Sequence, residues 1–232
     1  MPSFPALTVI IPVFNGERYI AAAIESVLGQ SCGSFEIIVV DDGSTDGTPS
    51  VIEAFGQKVR YEHQRNAGPS TARNRGIALA TGEFVAFLDA DDLWHANKTA
   101  VQLACFAERP ELVGCAAHVQ NFLSADHAPE RTVSRDDPVF MQKIVTLGST
   151  LIARRSLFEA IGVLNPQYRH RDLQDLIVRA DDRGLVTAIL PDVLAQRRIH
   201  STNLSHNRSG ADQLELVAIT RARHARRRAP GL

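Results

Sequence analysis

The stretch that decides the fold is Phe84-Val-Ala-Phe-Leu-Asp-Ala-Asp-Asp-Leu-Trp94. Its first half is apolar, which predicts a buried β-strand, and the carboxylates of Asp89, Asp91 and Asp92 follow directly after that strand. Like charges held close together destabilise a fold unless a cation neutralises them. Mg2+ and Mn2+ prefer oxygen ligands, often one or two carboxylates together with substrate phosphates. The stretch therefore indicates either a metal–diphosphate site at the end of a central strand or an acidic turn that caps the next helix.

Two apolar runs upstream also end in polar residues. Leu7 to Phe14 is rich in β-branched side chains and is followed by Asn15, and Phe35 to Val40 is followed by Asp41-Asp42-Gly43-Ser44. Such runs are typical of strands that are buried on both faces of a parallel sheet. Residues 19–28 between them have apolar side chains at helical spacing, which predicts a βαβ unit. Because open parallel sheets bind ligands outside the carboxyl ends of their strands, we expect the three polar clusters to meet at one edge.

The rest of the chain continues the alternation of helices and strands. Helices are predicted over residues 45–55, 71–80, 94–108, 155–161, 172–183 and 212–228, and strands over 59–63, 112–122, 148–153, 186–190 and 193–200. The polar segment from Ser124 to Pro138 is predicted as a loop or flap, and its length without regular structure hints at function. Neither an internal repeat nor a clear linker is visible. One α/β domain over residues 1–232, with an elaborated second half, is therefore expected.

Composition narrows the classes of function. The chain has 232 residues, 44% of them hydrophobic, and its formal net charge of −1 predicts no general attraction to nucleic acid. Three cysteines, Cys32, Cys105 and Cys115, lack metal-ligand spacing and are predicted as buried thiols. The sequence shows neither a signal peptide nor a membrane-spanning run, so a soluble, cytoplasmic protein is expected. Arginines cluster at the end, at positions 221, 223, 226, 227 and 228, which leaves peripheral contact with the inner membrane face open.

Four motifs together carry a resemblance to a known family. They are Thr8-Val-Ile-Ile-Pro-Val-Phe-Asn15, Asp41-Asp-Gly-Ser-Thr-Asp-Gly-Thr48, Asn66-x-Gly68-x-x-x-Ala72-Arg73-Asn74-x-Gly76, and Asp89-Ala-Asp-Asp-x-Trp94. In this order and spacing they resemble the family 2 glycosyltransferases, over about the first 100 residues. The resemblance implies a GT-A fold, with a Rossmann-like, mostly parallel central sheet flanked by helices. It also implies a nucleotide-sugar-binding half over residues 1–110 and an acceptor half over residues 111–232.

The resemblance further implies a donor substrate and the residues that bind it. The donor would be a nucleotide diphosphate sugar, usually a UDP-sugar, whose nucleoside is bordered by Pro12, Phe14 and Asn15. Asp42 would accept a hydrogen bond from the uracil N3–H, and Arg73 would reach the base or the diphosphate. The alternatives are a turn-forming acidic pair at Asp41 and Asp42 and a solvated surface arginine at position 73.

A divalent cation, Mn2+ or Mg2+, is implied at the end of the opening stretch. Asp91 would ligate the cation between the two phosphates, and Asp89 would contact the ribose or the water shell of the metal, whereas Asp92 and Trp94 would shape the loop. The late segment Arg197-Arg198-Ile199-His200 resembles one in which arginine and histidine approach the donor phosphates. His200 is thus a candidate third contact to metal or diphosphate, or else an ordinary surface or core histidine.

The acceptor half departs from the family pattern at the general base. Aligning residues 175–180 with the family's helix puts Asp172 at the position of a glutamate and Leu173 at the position of the catalytic aspartate. Three interpretations remain: Asp172 serves as the base after a slight shift of the helix start, Asp175 serves, or the base is lost. Asp172 is the preferred candidate, although an acid there also offsets the helix dipole without any catalytic role.

These observations favour an inverting glycosyltransferase of the hexosyltransferase type. It would move a sugar, with metal assistance, to a hydroxyl group of a glycan or a lipid-linked acceptor, as in cell-envelope polysaccharide synthesis. The alternative is a nucleotide-sugar-binding relative with weak or no catalysis, which Leu173 suggests. The glycine patterns of dinucleotide dehydrogenases and P-loop NTPases are absent after the first strand, and so is the basic glycine-rich loop of sugar-nucleotide synthesising enzymes.

Overall fold

The first half of the fold alternates strands and helices. The computed structural model describes residues 7–31, 35–124, 143–145, 147–200 and 211–228. The elements of the first half are β1 (Leu7–Val13), α1 (Ile20–Leu28), β2 (Phe35–Asp41), α2 (Thr48–Glu53), a 3-10 turn (Gly56–Lys58), β3 (Arg60–His63), α3 (Pro69–Leu79) and β4 (Phe84–Phe87). Every residue of β1 is buried, as its continuous apolar run predicts.

The second half is less regular and ends in a long helix. Its elements are β5 (Leu93–Trp94), α4 (Lys98–Glu108), β6 (Leu112–Leu123), β7 (Lys143–Val145), α5 (Leu147–Thr150), β8 (Ile152–Arg154), α6 (Arg155–Ile161), α7 (Asp172–Asp182), β9 (Val186–Ile199) and α8 (Ala211–Arg228). None of the described helices is both long and apolar enough to cross a membrane. Apart from Ser124, the predicted flap up to Pro138 lies outside the described residues, and so does Cys32. Of the other cysteine thiols, Cys115 is buried as predicted and Cys105 only partly so.

A single sheet joins the described strands of both halves. Its order is β3-β2-β1-β4-β8-β6-β9-β5, with β7 paired to β6. The four strands β1 to β4 are mutually parallel where they pair, whereas β8 is antiparallel to both β4 and β6. The predicted parallel sheet is therefore confirmed for the first half, and the second half makes the complete sheet mixed.

The register of the parallel strands brings the polar clusters together. Val13 pairs with Asp41 between β1 and β2, and Ile10 pairs with Phe87 between β1 and β4. The polar residues that follow these strands therefore lie at one edge of the sheet, which confirms the predicted convergence. Each face of the sheet is covered by an apolar layer, and β1 contributes alternate residues to both: Val9 and Ile11 to one and Ile10 to the other.

Three predicted elements differ from the structure because of tertiary contacts. The predicted strand over residues 148–153 is instead the short helix α5 followed by β8, because the α5 turn packs against Asp89, whose carboxylate leaves no space for a Cβ at Gly148. The predicted helix over 94–108 begins only at Lys98, because Leu93 and Trp94 pair with β9. The two predicted strands after residue 185 are one continuous strand, β9, paired with β6.

Candidate active site

A cavity of about 1250 Å3 opens at the sheet edge where β1, β2 and β4 end. Ordinary small-molecule pockets have volumes of roughly 300–1,000 Å3, so this cavity has room for more than one substrate. All predicted site residues except Asp175 line it, namely Pro12, Phe14, Asn15, Asp42, Arg73, Asp89, Asp91, Asp172 and His200. Nine of the ten predicted site residues therefore meet in this cavity.

The rim of the cavity is formed by the residues that follow β1. Phe14 is 52% exposed although it is apolar. Asn15 has a φ of 51°, a left-handed conformation that asparagine adopts more readily than most residues. Its Oδ1 accepts a hydrogen bond from the Thr45 N–H at 2.8 Å, and its own N–H donates to Ser44 Oγ at 2.9 Å. The turn after β1 is thus tied to the turn after β2, while Phe14 stays exposed between the cavity and solvent.

Asp42 fixes the loop that leads into α3. Its carboxylate accepts three hydrogen bonds of 2.8 Å, one from Gln64 Nε2 and two from the backbone N–H groups of residues 67–68. A contact with a uracil N3–H, as predicted, would share oxygens that already accept these hydrogen bonds. The neighbouring Asp41 is fully buried and accepts a hydrogen bond from the Tyr61 hydroxyl at 2.8 Å. Its Oδ1 accepts a hydrogen bond from the Ser44 N–H at 2.8 Å, a contact that shapes the turn after β2.

Arg73 is buried between two carboxylates. Its Nη1 donates to Asp172 Oδ2 at 2.8 Å and its Nη2 donates to Asp89 Oδ1 at 2.7 Å. Burial alone would lower the pKa of Arg73, but the two carboxylates outweigh it and raise the pKa above its ordinary value. The interpretation of Arg73 as a solvated surface arginine is wrong, because the residue is 7% exposed. Its two terminal nitrogens join the end of β4 to the start of α7.

The three acids after β4 have different surroundings. Burial raises the pKa of Asp92 well above its ordinary value, and Asp91 and Asp89 raise it further. Asp92 accepts hydrogen bonds from Ser149 Oγ and from the Arg198 N–H, so it shapes the loop as predicted. Burial also raises the pKa of Asp89, although the Arg73 guanidinium opposes this. Asp92 is buried in the protein, whereas the side chains of Asp89 and Asp91 are each 31% exposed.

Asp91 and His200 form the pair that best fits a metal–diphosphate contact. The Nε2 of His200 lies 3.0 Å from Asp91 Oδ2, and both residues line the cavity. The ring of Tyr19, which the sequence does not single out, lies 4.6 Å from the ring of His200. No group of three or more His, Cys, Asp or Glu side chains is arranged to hold a metal ion anywhere in the described ranges. A cation here would thus take one or two protein ligands and the rest from water and phosphate, a common arrangement for Mg2+.

Another part of the cavity wall is formed by the start of α7. Asp172 is 3% exposed, and its two oxygens accept hydrogen bonds from Arg73 Nη1 and from the Leu173 N–H. Leu173 is 2% exposed and belongs to the apolar layer on one face of the sheet. Asp175 is also buried, pairs with Arg179 at 2.8 Å and does not line the cavity. Of the predicted site residues, Asp175 therefore stands apart from the cavity, because its carboxylate holds Arg179 on the same helix.

The segment before α7 also lines the cavity, and the sequence gives no prediction for it. Residues 169–171 contribute Arg169, His170 and Arg171 to the wall. Glu215 of α8 accepts hydrogen bonds of 2.9, 3.1 and 3.1 Å from the backbone N–H groups of these three residues. A glutamate more than 40 positions away gives no local signal of this contact, so only the folded chain shows it.

Sequence comparisons point to one family. The family model described as Glycosyl transferase family 2 matches residues 8–162. A protein of Bacillus subtilis strain 168, described as putative teichuronic acid biosynthesis glycosyltransferase TuaG, is 31% identical over 216 residues, which cover 88% of this chain and 83% of that protein. An uncharacterized glycosyltransferase of Rickettsia felis is 44% identical over 104 residues. These cover 44% of this chain and only 17% of the relative, so the chain spans a minor part of that relative's length.

Solved structures with the same architecture include two that carry nucleotide sugars. Residues 1–349 of S. aureus TarS in complex with UDP-GlcNAc align with a TM-score of 0.73 and 22% identity, over 97% of this chain and 68% of that chain. The mannosyltransferase PcManGT of Pyrobaculum calidifontis in complex with GDP-Man and Mn2+ aligns with a TM-score of 0.65 and 21% identity, over 87% of this chain and 59% of that chain. At these identities the likeness establishes the fold, and the predicted GT-A fold is confirmed.

Proposed function

The chain belongs to glycosyl transferase family 2, and we propose on this premise that it transfers a sugar from a nucleotide diphosphate sugar, specifically a UDP-sugar, to a hydroxyl group of a glycan or lipid-linked acceptor. The observation that carries the proposal is a single cavity. Its wall includes the exposed ring of Phe14, the carboxylates that follow β4, and the start of α7. Transfer with inversion requires the leaving diphosphate and the attacking hydroxyl to lie on opposite sides of the anomeric carbon. A hexosyltransferase that works in one domain over residues 1–232 fits this arrangement.

The cavity divides naturally between a donor and an acceptor. Pro12, Phe14, Asn15 and Asp42 lie around the ends of β1 and β2 and would border the nucleoside. A divalent cation, Mn2+ or Mg2+, held by Asp91 with support from Asp89 and His200, would offset the negative charge that develops on the leaving diphosphate. The GT-A neighbour PcManGT was solved with Mn2+, which supports this part of the proposal. The likeness to TuaG, a putative teichuronic acid biosynthesis glycosyltransferase, supports a place in cell-envelope polysaccharide synthesis, with the chain acting in the cytoplasm, soluble or at the inner membrane face.

The test of the proposed function is donor binding together with turnover. Calorimetric titration with UDP and GDP, each with and without Mn2+, should show binding that prefers UDP and strengthens with the metal. Release of the nucleoside diphosphate should then be measured from UDP-GlcNAc, UDP-glucose, UDP-galactose and GDP-mannose. A protein that binds none of these nucleotides would contradict the proposal.

Replacing Asp91 with asparagine should weaken Mn2+-dependent UDP binding at least about tenfold. Asparagine keeps the size of the side chain but removes the negative charge that a hard cation prefers, and even indirect partners of a metal contribute about 10- to 100-fold to its affinity. The matched control is Glu111→Gln, because Glu111 is an exposed carboxylate that pairs with Arg109 and does not line the cavity. Equal Mn2+-dependent affinity for UDP in D91N and the unmodified protein would rule out Asp91 as the metal ligand.

Replacing Phe14 with alanine should weaken UDP binding by about tenfold and leave the fold intact. Stacking of a base on an aromatic side chain contributes about 1–3 kcal/mol, and Phe14 is too exposed to contribute much to the core. The free energy of unfolding, measured with urea, should change by less than about 0.5 kcal/mol. Unchanged UDP affinity would show that the nucleoside lies elsewhere.

A second candidate function is nucleotide-sugar binding without transfer. Leu173 favours it, because its buried side chain stands where the resemblance implies the catalytic aspartate. Under this alternative UDP would bind and no donor would turn over. Measurable release of UDP with a suitable acceptor or with water would reject it.

A further inference from the structure

A general base is the group that the proposed transfer still lacks. The acceptor hydroxyl must lose a proton as its oxygen attacks the anomeric carbon, and the base must lie within hydrogen-bond reach of it. Leu173 cannot accept a proton. Asp172 would have to leave its ion pair with Arg73 at 2.8 Å, and its other oxygen already accepts a hydrogen bond from the Leu173 N–H.

The other carboxylates of the cavity wall are also engaged. Asp42 holds the loop before α3, Asp92 holds the loop after β4, and Asp89 is paired with Arg73. Asp91 contacts His200 on the metal side of the cavity. A base on that side would face the leaving diphosphate, whereas inversion needs the base on the opposite side of the sugar. The segment before α7 forms another part of the cavity wall, and it carries a different candidate for the base.

His170 has the properties that these carboxylates lack. Its side chain is exposed and lines the cavity two residues before Asp172. Within the part of the chain that the structure describes, no residue hydrogen-bonds to its imidazole; the contact that is seen is made by its backbone N–H, which donates to Glu215 Oε2 at 3.1 Å. The imidazole is therefore available to an acceptor, unlike the carboxylate of Asp172.

The backbone that carries His170 is held on both sides. Glu215 accepts hydrogen bonds from the backbone N–H groups of residues 169–171, and the Ser70 hydroxyl at the start of α3 donates one to the carbonyl of Tyr168. A catalytic group on a fixed backbone stays near its productive geometry, which is a large part of its effect. These contacts also explain why an exposed segment can serve as a wall of the site.

We propose that His170 is the general base of the transfer reaction, an inference that rests on the proposed function. An imidazole nitrogen accepts the proton of the acceptor hydroxyl while the hydroxyl oxygen forms the new bond to the anomeric carbon. The bond from that carbon to the diphosphate oxygen breaks, and its electron pair leaves with the nucleoside diphosphate. The proton on His170 then passes to solvent, to which the side chain is exposed. With His170 as the base, position 173 does not need a proton acceptor, and Leu173 packs in the core instead.

The test compares His170→Ala with the unmodified protein in the donor assay. With Mn2+ and the donor that turns over best, kcat should fall about 100-fold or more, because general-base catalysis contributes about 10²–10⁴-fold. The Kd for UDP should stay within about twofold, since the imidazole acts on the acceptor side. Added imidazole should restore part of the turnover in H170A. The matched control is His224→Ala, an exposed histidine of α8 that does not line this cavity and should leave kcat unchanged.

Three outcomes separate the base from the wider proposal. A kcat of H170A within threefold of the unmodified protein would overturn His170 as the base and leave the transferase function standing. A loss of turnover that imidazole does not restore and that weaker UDP binding accompanies would also overturn it, by assigning His170 to donor binding. A protein that binds UDP but turns over no donor before any substitution would overturn both.

Discussion

Replacing Arg73 with methionine is expected to lower the free energy of unfolding by about 3–5 kcal/mol, because two carboxylates would lose their common partner. Asp172 is 3% exposed, so water cannot solvate its charge in place of the guanidinium. The side chain of Asp89 is 31% exposed and would be less affected. Urea denaturation followed by circular dichroism measures this change directly. The variant R73M/D172N should recover part of the loss, because asparagine leaves no uncompensated charge in the same place.

Arg75→Met is the matched control for this prediction. Arg75 lies on the same helix, but its side chain is 53% exposed and it pairs with Glu62 at 3.2 Å on the surface. Exposed ion pairs contribute about 0–1 kcal/mol, so R75M should change the free energy of unfolding by less than about 1 kcal/mol. A loss of similar size in R73M and R75M would show that burial between the two carboxylates is not what makes Arg73 important.

The Arg73 contacts show which part of the site can be predicted from sequence. The polar residues after β1, β2 and β4 follow directly from apolar runs, and the geometry of a parallel sheet then brings them together. The partner of Arg73 at the start of α7, Asp172, lies 99 positions away. No periodicity or motif encodes that pairing. The sequence therefore predicts a ligand contact for Arg73, and the two carboxylate contacts are seen only in the folded chain.

The second half of the chain is harder to predict for the same reason. Residues 148–153 are predicted as one strand, yet residues 148–150 form a helical turn, in which the Ser149 hydroxyl donates to Asp92 and the Ser149 carbonyl accepts from the Trp94 indole. The position of residues 169–171 depends on Glu215 of the last helix. Such contacts decide where His170 lies, and they are made by residues that are individually ordinary in the sequence. The first half of the chain needs fewer of them, because the geometry of the parallel sheet positions the residues that follow its strands.

Lys98→Met is expected to stabilise the protein by about 4 kcal/mol at pH 7, and the gain should shrink as the pH rises. Lys98 is fully buried, its Nζ lies 4.0 Å from the ring centre of Trp94, and no residue within the described ranges offers it a hydrogen bond. Burial lowers the pKa of Lys98 from 10.5 to about 7, and Cys115 opposes this only weakly. Methionine has nearly the same shape, and it fills this space without a charge or an unpaired donor.

The pH dependence follows from the protons that each state binds. The unfolded chain keeps the proton of Lys98 up to about pH 10.5, whereas the folded chain releases it near pH 7. Between these values the unfolded state binds more protons, so the free energy of unfolding of the unmodified protein rises with pH by up to about 1.4 kcal/mol per pH unit. Below pH 7 both states hold the proton, and the folded chain bears the full cost of the buried ammonium group. In K98M this dependence is absent, so the difference between the two proteins should fall to about 1 kcal/mol by pH 10.

Lys58→Met is the matched control, because Lys58 is exposed on the 3-10 turn after α2. Surface substitutions of this kind change the free energy of unfolding by about 0.5 kcal/mol or less, and K58M should do so equally at pH 7, 8, 9 and 10. Urea denaturation of all three proteins at these pH values separates the contribution of Lys98 from that of every other titrating group, because the others are common to the set. A K98M variant that is less stable than the unmodified protein at pH 7 would mean that the ammonium group gains more from the face of the Trp94 ring than it loses by burial.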